Sequence, residues 1–275
     1  MTGENPVLAH TRVAAAGRQP ERWLLVLHGI YGAGRNWGSI ARRLTDARPE
    51  WGAVLVDLRM HGQSREGFTG PHTIAASAAD VDRLVAELDL HAAAVLGHSF
   101  GGKVALTYVQ HHGSELRQAW VVDSTLSPGQ PQGTAWEMIE AVRSLPADFA
   151  TRAEAVEGVM ANGYPEGVAQ WMAINLEQVE GRYRWRIDFD AMEEMLRDFF
   201  RTDLWPVVES PPDDVEVHVV KATQSTSIDA EAVARVEAAG RANGRAHLHL
   251  LEGGHWINTD NPDGVLDLLV RHLPR

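Results

Sequence analysis

The sequence predicts an α/β fold built on a mostly parallel central sheet, and three observations carry that reading. Short apolar runs ending in glycine or polar residues recur along the chain. Segments with apolar residues at three- and four-residue spacing lie between them, as amphipathic helices require. The alternation fails once, over about 80 residues that show no strand-like run, too long a stretch for a plain loop.

The runs at 23–27, 53–56, 93–96, 119–122, 215–220 and 246–251 read as strands, and residues 7–15 as an added edge strand. Helical spacing falls at 37–44, 74–88, 101–110, 230–239 and 263–272. The interruption at 127–206 holds Trp136, Met138, Trp171, Trp185, Met192 and Phe199 among its large apolar side chains. The simplest reading is a small helical lid on a core made of residues 1–126 and 207–275. The polar segment 209–214 is the expected turn back into the sheet.

Composition narrows the function. With 44% hydrophobic and 23% charged residues the chain has an enzyme-like balance, and its formal charge of −12 would repel a polyanion, so nucleic acid is excluded as a partner. The absence of Cys removes disulfides, thiolate metal sites and a Cys nucleophile, and fits a reducing compartment. Residues 1–6 lack the basic start and apolar run of a signal peptide, and no stretch reaches the ~18 apolar residues of a membrane span. The expectation is a soluble cytoplasmic protein without a membrane partner.

Residues 93–102 run from an apolar strand through Gly97-His98-Ser99-Phe100-Gly101 into a helix. Gly-x-Ser-x-Gly in that context is a nucleophile elbow: the sharp turn lifts the serine hydroxyl above the sheet, and the glycines admit the adjoining strand and helix. The helix start behind Ser99 also offers N–H groups where an oxyanion would form.

Three segments make the chain resemble the α/β-hydrolase fold over nearly its whole length. They are residues 27–32 (Leu-His-Gly-Ile-Tyr-Gly) with Asn36-Trp37, residues 57–64 (Asp-Leu-Arg-Met-His-Gly-Gln-Ser) and residues 97–103. Val121-Val122-Asp123, the segment 175–187 and Gly254-His255-Trp256-Ile257 are more specific. They resemble the small serine esterases that hydrolyse short acyl esters and acyl-CoA thioesters, with their mitochondrial abhydrolase relatives.

A serine nucleophile needs a base that takes its proton and returns it to the leaving group. Of 13 His residues, His255 follows the last strand, sits beside Gly253-Gly254 and completes the Ser, acid, His chain order. The residues leave two acids open, Asp123 after the strand at 119–122 and Asp229 ahead of a helix. The commoner superfamily position, the loop at 223–227, holds no carboxylate. The resemblance to the esterase subgroup implies Asp123, and Asp229 then reads as a helix cap. Backbone N–H groups of Ile30 and Phe100 are the expected oxyanion donors, with Tyr31 the alternative to Ile30. Tyr31, Trp185 and Trp256 are candidate substrate contacts.

The remaining motifs read as structural. His247 and His249 share a strand face, but no Cys or matching acidic cluster accompanies them, so no metal site is expected. His28, His61 and His98 brace or pack the loops, Asp57 caps a turn and Arg59 hydrogen-bonds nearby carbonyls. The expected function is a cofactor-free serine hydrolase acting on small acyl esters or thioesters. Two rivals remain: a C–C bond hydrolase or quinone-biosynthesis-type lyase of the same fold, or a ligand-binding homologue without turnover. The lyase reading would use Arg182, Arg184 and Arg186 to hold a substrate carboxylate, although their alternate spacing also fits an extended segment with one solvated face.

Overall fold

A computed structural model describes residues 6–112, 116–212 and 214–275, so Met1–Asn5 of the N-terminal stretch and Asp213 of the polar turn lie outside the described residues. In chain order, the elements before the interruption are β1 (His10–Val13), β2 (Arg22–Leu27), α1 (Gly38–Ala47), β3 (Trp51–Val56), α2 (Ile74–Leu88), β4 (Ala92–His98), α3 (Phe100–His112) and β5 (Gln118–Val122). The interruption contains α4 (Thr134–Arg143), β6 (Asp148–Phe149), α5 (Arg152–Ala161), α6 (Glu166–Met172), β7 (Leu176–Val179), β8 (Arg182–Trp185), α7 (Phe189–Arg201) and α8 (Trp205–Glu209). The chain then returns through β9 (Glu216–Ala222), α9 (Ala230–Asn243), β10 (Ala246–Leu251), α10 (Ile257–Asp260) and α11 (Pro262–His272).

The seven-stranded sheet has the order β1-β3-β2-β4-β5-β9-β10. Only β1, at the edge, runs antiparallel; every other pair is parallel. All residues of β3, β4 and β5 are buried, which is why those strands read as continuous apolar runs rather than alternating ones. Ile40, Leu44, Val265 and Leu269 of α1 and α11 cover one face; Val81, Leu84, Val104, Val109 and Val236 of α2, α3 and α9 cover the other. Because β3 lies to one side of β2 and β4 to the other, the sheet switches direction at β2, and the loops leaving β2 and β4 open a crevice there.

The interruption is not purely helical. It contains a three-stranded antiparallel sheet, β6-β8-β7, among its helices. These strands are two to four residues long and mostly half-exposed, too short and too polar to register as apolar runs. Glu180 and Gly181, both at positive φ, make the tight turn between β7 and β8. Arg182 and Arg184 alternate with the less exposed Tyr183 and Trp185, the extended segment with one solvated face anticipated above. The N-terminal edge strand is shorter than expected, and no helix among the described residues is long and apolar enough to cross a membrane.

Candidate active site

Ser99 is the single residue between β4 and α3, held at φ 51°, a strained left-handed conformation for a residue with a side chain. The flanking glycines are obligatory. A Cβ on Gly97 would lie 1.9 Å from the Gly101 carbonyl oxygen, and one on Gly101 would lie 2.5 Å from the carbonyl oxygens of Leu27 and His28. The elbow is therefore wedged between its own helix and the end of β2. Ser99 N–H donates to Val122 O at 3.0 Å, tying it to β5 as well.

The ends of three strand–loop units converge on this point. His255, in the loop after β10, places Nε2 3.1 Å from Ser99 Oγ and Nδ1 2.7 Å from Asp123 Oδ2. Asp123 follows β5, is fully buried and also adopts positive φ, 44°. The Ala222 N–H donates to its other oxygen at 3.1 Å. Burial pushes the Asp123 carboxyl up, but hydrogen bonds from His255 and Ser225, the His255 charge and the Ala222 N–H together hold it below its ordinary range. Asp229 is elsewhere engaged: its side chain accepts the Ala232 N–H at 2.8 Å and caps α9.

The turn after β2 lies against the elbow. A Cβ on Gly29 would meet Ser99 Cβ at 3.3 Å, and Gly32 N–H closes the turn on Gly29 O at 3.0 Å with Ile30 and Tyr31 in its middle. Tyr31 sits at φ 62°. Phe100 is the first residue of α3, where a backbone N–H has no carbonyl partner within the helix. Ser99, Asp123 and Tyr31 are thus three of the six non-glycine residues at positive φ among those described, so backbone strain gathers at this crevice.

Aromatic rings border the site. Trp171 of α6 contacts Tyr31 edge-on at 6.3 Å and Trp256 at 5.4 Å, so two of the three expected substrate contacts meet through a residue given no role from sequence. Trp185 stands apart from that group, edge-on to Phe149 on β6. The Tyr31 hydroxyl donates to Ala135 O at 2.7 Å, and burial pushes its pKa well above the ordinary phenol value.

The histidines expected to brace the loops do so. His28 Nε2 accepts the Leu58 N–H at 3.0 Å, so its Nδ1–H donates to Gly29 O at 2.7 Å. His98 Nε2–H donates to the His255 carbonyl at 2.7 Å and anchors the loop that carries His255. Burial pulls His28 down to about 4 and His61 and His98 to about 3, so all three stay neutral near pH 7. Asp57 caps backbone N–H groups of Gly34 at 2.7 Å and Gln63 at 2.9 Å. Arg59 does donate to a carbonyl, Pro71 O at 2.8 Å, but its principal partner is the buried Asp80 carboxylate at 2.5 Å. That partner lies in α2 and no motif flagged it.

Other residues at the site escaped sequence reasoning. Ser225 Oγ bonds Ser227 Oγ, and Ser227 Oγ lies 3.1 Å from His255 Nδ1. Both serines belong to the loop at 223–227, which holds no carboxylate. Asn175 Nδ2 donates to Tyr31 O at 2.9 Å, joining the insertion to the turn after β2. Lys103, fully buried, donates to the carbonyls of Ser127, Phe199 and Thr202 at 3.0, 2.8 and 2.6 Å and so grips both ends of the insertion. Asn175 and Lys103 fall within segments that carried the family resemblance, but nothing in a local pattern shows which distant carbonyl they serve.

A family model described as "Alpha/beta hydrolase family" matches residues 24–268. The sn-1-specific diacylglycerol lipase ABHD11 of Xenopus laevis is 27% identical over 262 residues, 91% of this chain and 79% of that protein. The 2-succinyl-6-hydroxy-2,4-cyclohexadiene-1-carboxylate synthase of Klebsiella pneumoniae is 26% identical over 263 residues, 91% of this chain and 93% of that one. Among solved structures, a marine microorganism esterase matches with a TM-score of 0.83 at 24% identity, over 97% of this chain and 99% of its own. An E-2-(acetamidomethylene)succinate hydrolase matches at 0.70 and 22% identity, over 96% and 98%. This chain belongs to the alpha/beta hydrolase family, and is distantly related to the ABHD11 lipases and to bacterial esterases and hydrolases.

Proposed function

We propose that this protein is a serine hydrolase of small carboxylic esters or acyl thioesters, working through Ser99, His255 and Asp123. The observation that carries the reading is the unbroken chain from Ser99 Oγ to His255 Nε2 (3.1 Å) and from His255 Nδ1 to Asp123 Oδ2 (2.7 Å). With Nδ1–H donating to Asp123, Nε2 holds a lone pair toward the Ser99 hydroxyl, the tautomer a general base requires. Ser99 Oγ attacks the acyl carbonyl as His255 takes the hydroxyl proton. His255 then gives that proton to the departing alcohol or thiol, leaving an acyl-serine. Water attacks the acyl-serine with His255 again as base, the carboxylic acid leaves and Ser99 recovers its proton. Backbone N–H groups of Ile30 and Phe100 stabilise the oxyanion in both steps, each worth about 3 kcal/mol by analogy with single-donor removal. No cofactor enters this scheme.

The core, in this reading, is the sheet with its flanking helices, and residues 127–206 form a lid over the crevice. The lid ring Trp171, packed between Tyr31 of the turn after β2 and Trp256 next to His255, limits depth between those two loops and favours a small acyl group. The lyase and C–C hydrolase reading draws less support, because Arg182 and Arg184 both face Asp148 within the insertion, which leaves it only Arg186, whose Nη2 donates to Ile174 O at 3.2 Å. The diacylglycerol lipase names of the vertebrate relatives raise the opposite expectation for acyl length.

Two measurements test the proposal. A fluorophosphonate should add one adduct at Ser99, seen by intact mass, and Ser99→Ala should lose both adduct and ester turnover with the fold kept. A nitrophenyl ester series should show turnover falling as the acyl chain lengthens. No adduct on protein that hydrolyses esters would sink the mechanism, and faster turnover of long chains would sink the acyl preference.

A further inference from the structure

A second group of ionisable side chains lies far from Ser99, toward the N-terminal ends of β9 and β10. Glu216 and His218, two apart on β9, share a face of the sheet. The parallel ladder sets His247 of β10 directly beside His218. The ligating atoms of these three residues lie within 4.8 Å of one another, the gathering of this kind found among the described residues. His218 Nε2 is 3.5 Å from Glu216 Oε2, and His247 Nε2 is 4.0 Å from Glu216 Oε1.

Both Nε2 atoms are buried and have no hydrogen-bond partner, and His218 is only 3% exposed. A buried, unsatisfied polar atom costs about 1–3 kcal/mol, so two of them aimed at one carboxylate call for an occupant. The other nitrogen of His218 explains what kind. His218 Nδ1 is 2.9 Å from His249 Nε2, and with Nδ1–H donating to His249 the Nε2 atom presents a lone pair toward the Glu216 carboxylate. In that tautomer the lone pair faces an anion, which is repulsive, and a cation between them reverses the sign; in the other tautomer Nε2–H faces the carboxylate at 3.5 Å. Trp120, stacked on His218 at 4.1 Å, fixes the ring plane, and Gln118 Nε2–H holds Glu216 Oε2 at 2.9 Å.

We propose that Glu216, His218 and His247 form a Zn²⁺ site, with water in the fourth position. Two imidazoles and one carboxylate suit a borderline ion such as zinc better than the oxygen-seeking Mg²⁺ or Ca²⁺. Ligands about 2.1 Å from a tetrahedral ion sit about 3.4 Å from each other. The present separations, 3.5 and 4.0 Å to Glu216 with all three ligating atoms within 4.8 Å, close by movement of the His247 and Glu216 side chains, which are 37% and 45% exposed. His249 is the outer partner that orients His218, the common arrangement behind a metal-bound imidazole. The pair suggested by sequence spacing, His247 and His249, is thereby divided between coordinating and supporting roles.

The ion would pin the edge strand β10 to β9. From His218 to Ala222, whose N–H holds Asp123, the strand runs about 13 Å, so the site is separate from the triad and zinc should raise stability without changing hydrolysis.

Tag-free protein should be titrated with ZnCl₂ alone in a non-chelating buffer near neutral pH, by calorimetry and by thermal unfolding. The expected result is one Zn²⁺ per chain with a higher unfolding temperature. Glu216→Gln and His247→Ala should each weaken binding by at least about tenfold, with ester turnover unchanged in both. His91→Ala, at an exposed histidine elsewhere, should bind as the parent does. His247→Gln, closer in volume, repeats the test should the alanine variant fold poorly. No saturable binding up to about 100 µM zinc, or parent-like affinity in either ligand variant, overturns the proposal.

Discussion

The sheet and the insertion share one apolar cluster but differ in how far burial alone orders them. In the sheet, β3, β4 and β5 are buried at every position, and apolar area removed from water holds them in place at about 25 cal/mol per Å². In the insertion, β7 and β8 are half-exposed and its helices present one apolar stripe each. Its attachment adds named polar contacts to apolar packing: Met192, Met195 and Phe199 are buried in one cluster with Phe100 and Val104, while Lys103 bonds three carbonyls, Asn175 bonds Tyr31 O and Asp198 accepts the Ile74 N–H at 2.7 Å. Uniform burial makes a rigid platform that can hold three strained residues in register. That packing and these hydrogen bonds lie at the boundary of the insertion, so they can part without unfolding the platform, as the proposed lid requires.

The largest expected effect falls on the platform. Asp123→Asn should lower ester turnover by on the order of 10⁴ with the fold retained, because His255 loses the acceptor that sets its tautomer. Asp229→Asn, at a helix cap, should change activity little and stability by no more than about 1 kcal/mol. Activity lost at 229 and kept at 123 would falsify the triad assignment.

Acid should break the platform before the insertion's contacts matter. His28, His61 and His98 have folded pKa values of about 4, 3 and 3, below the ordinary 6.5, so the unfolded chain binds protons that the native state refuses. Stability should therefore fall as pH drops from about 6.5 toward 4, by up to about 1.4 kcal/mol per pH unit for each histidine. Asp123, whose carboxyl is held below 3.8, adds a further loss only once pH falls beneath that value. Urea midpoints across this range would show the slope, and a flat profile between 6.5 and 4 would contradict it.

Weakening the clasp should expose the difference between the regions. Lys103→Met keeps the apolar stem but strands three carbonyls, at a cost of about 1–3 kcal/mol for each that stays out of water. Hydrogen exchange should accelerate across the insertion, while amides of β4 and β5 keep their protection. Equal acceleration in both would show that the clasp stabilises the whole molecule instead. The smallest effect is one of selectivity: Trp171→Ala should shift the acyl-length optimum upward several-fold with short-ester turnover largely preserved. An unchanged chain-length profile would remove Trp171 from the pocket wall.

The sequence by itself determined the platform. Period and apolar runs located six parallel strands, and the Gly97-His98-Ser99-Phe100-Gly101 context located the elbow, because local geometry there permits only glycine at 97 and 101. Chain order and resemblance singled out Asp123 and His255, and the distances between them are the structure's contribution. What only the tertiary structure decided is every pairing between residues distant in sequence whose type is common. The strands within the insertion are too short for periodicity to mark. Asp80 behind Arg59, Trp171 between Tyr31 and Trp256, and the serines beside His255 carry no local signature. The same holds for Glu216 and His218: they meet His247 only because β9 and β10 pair in one register, and a one-residue slip would turn their side chains to opposite faces.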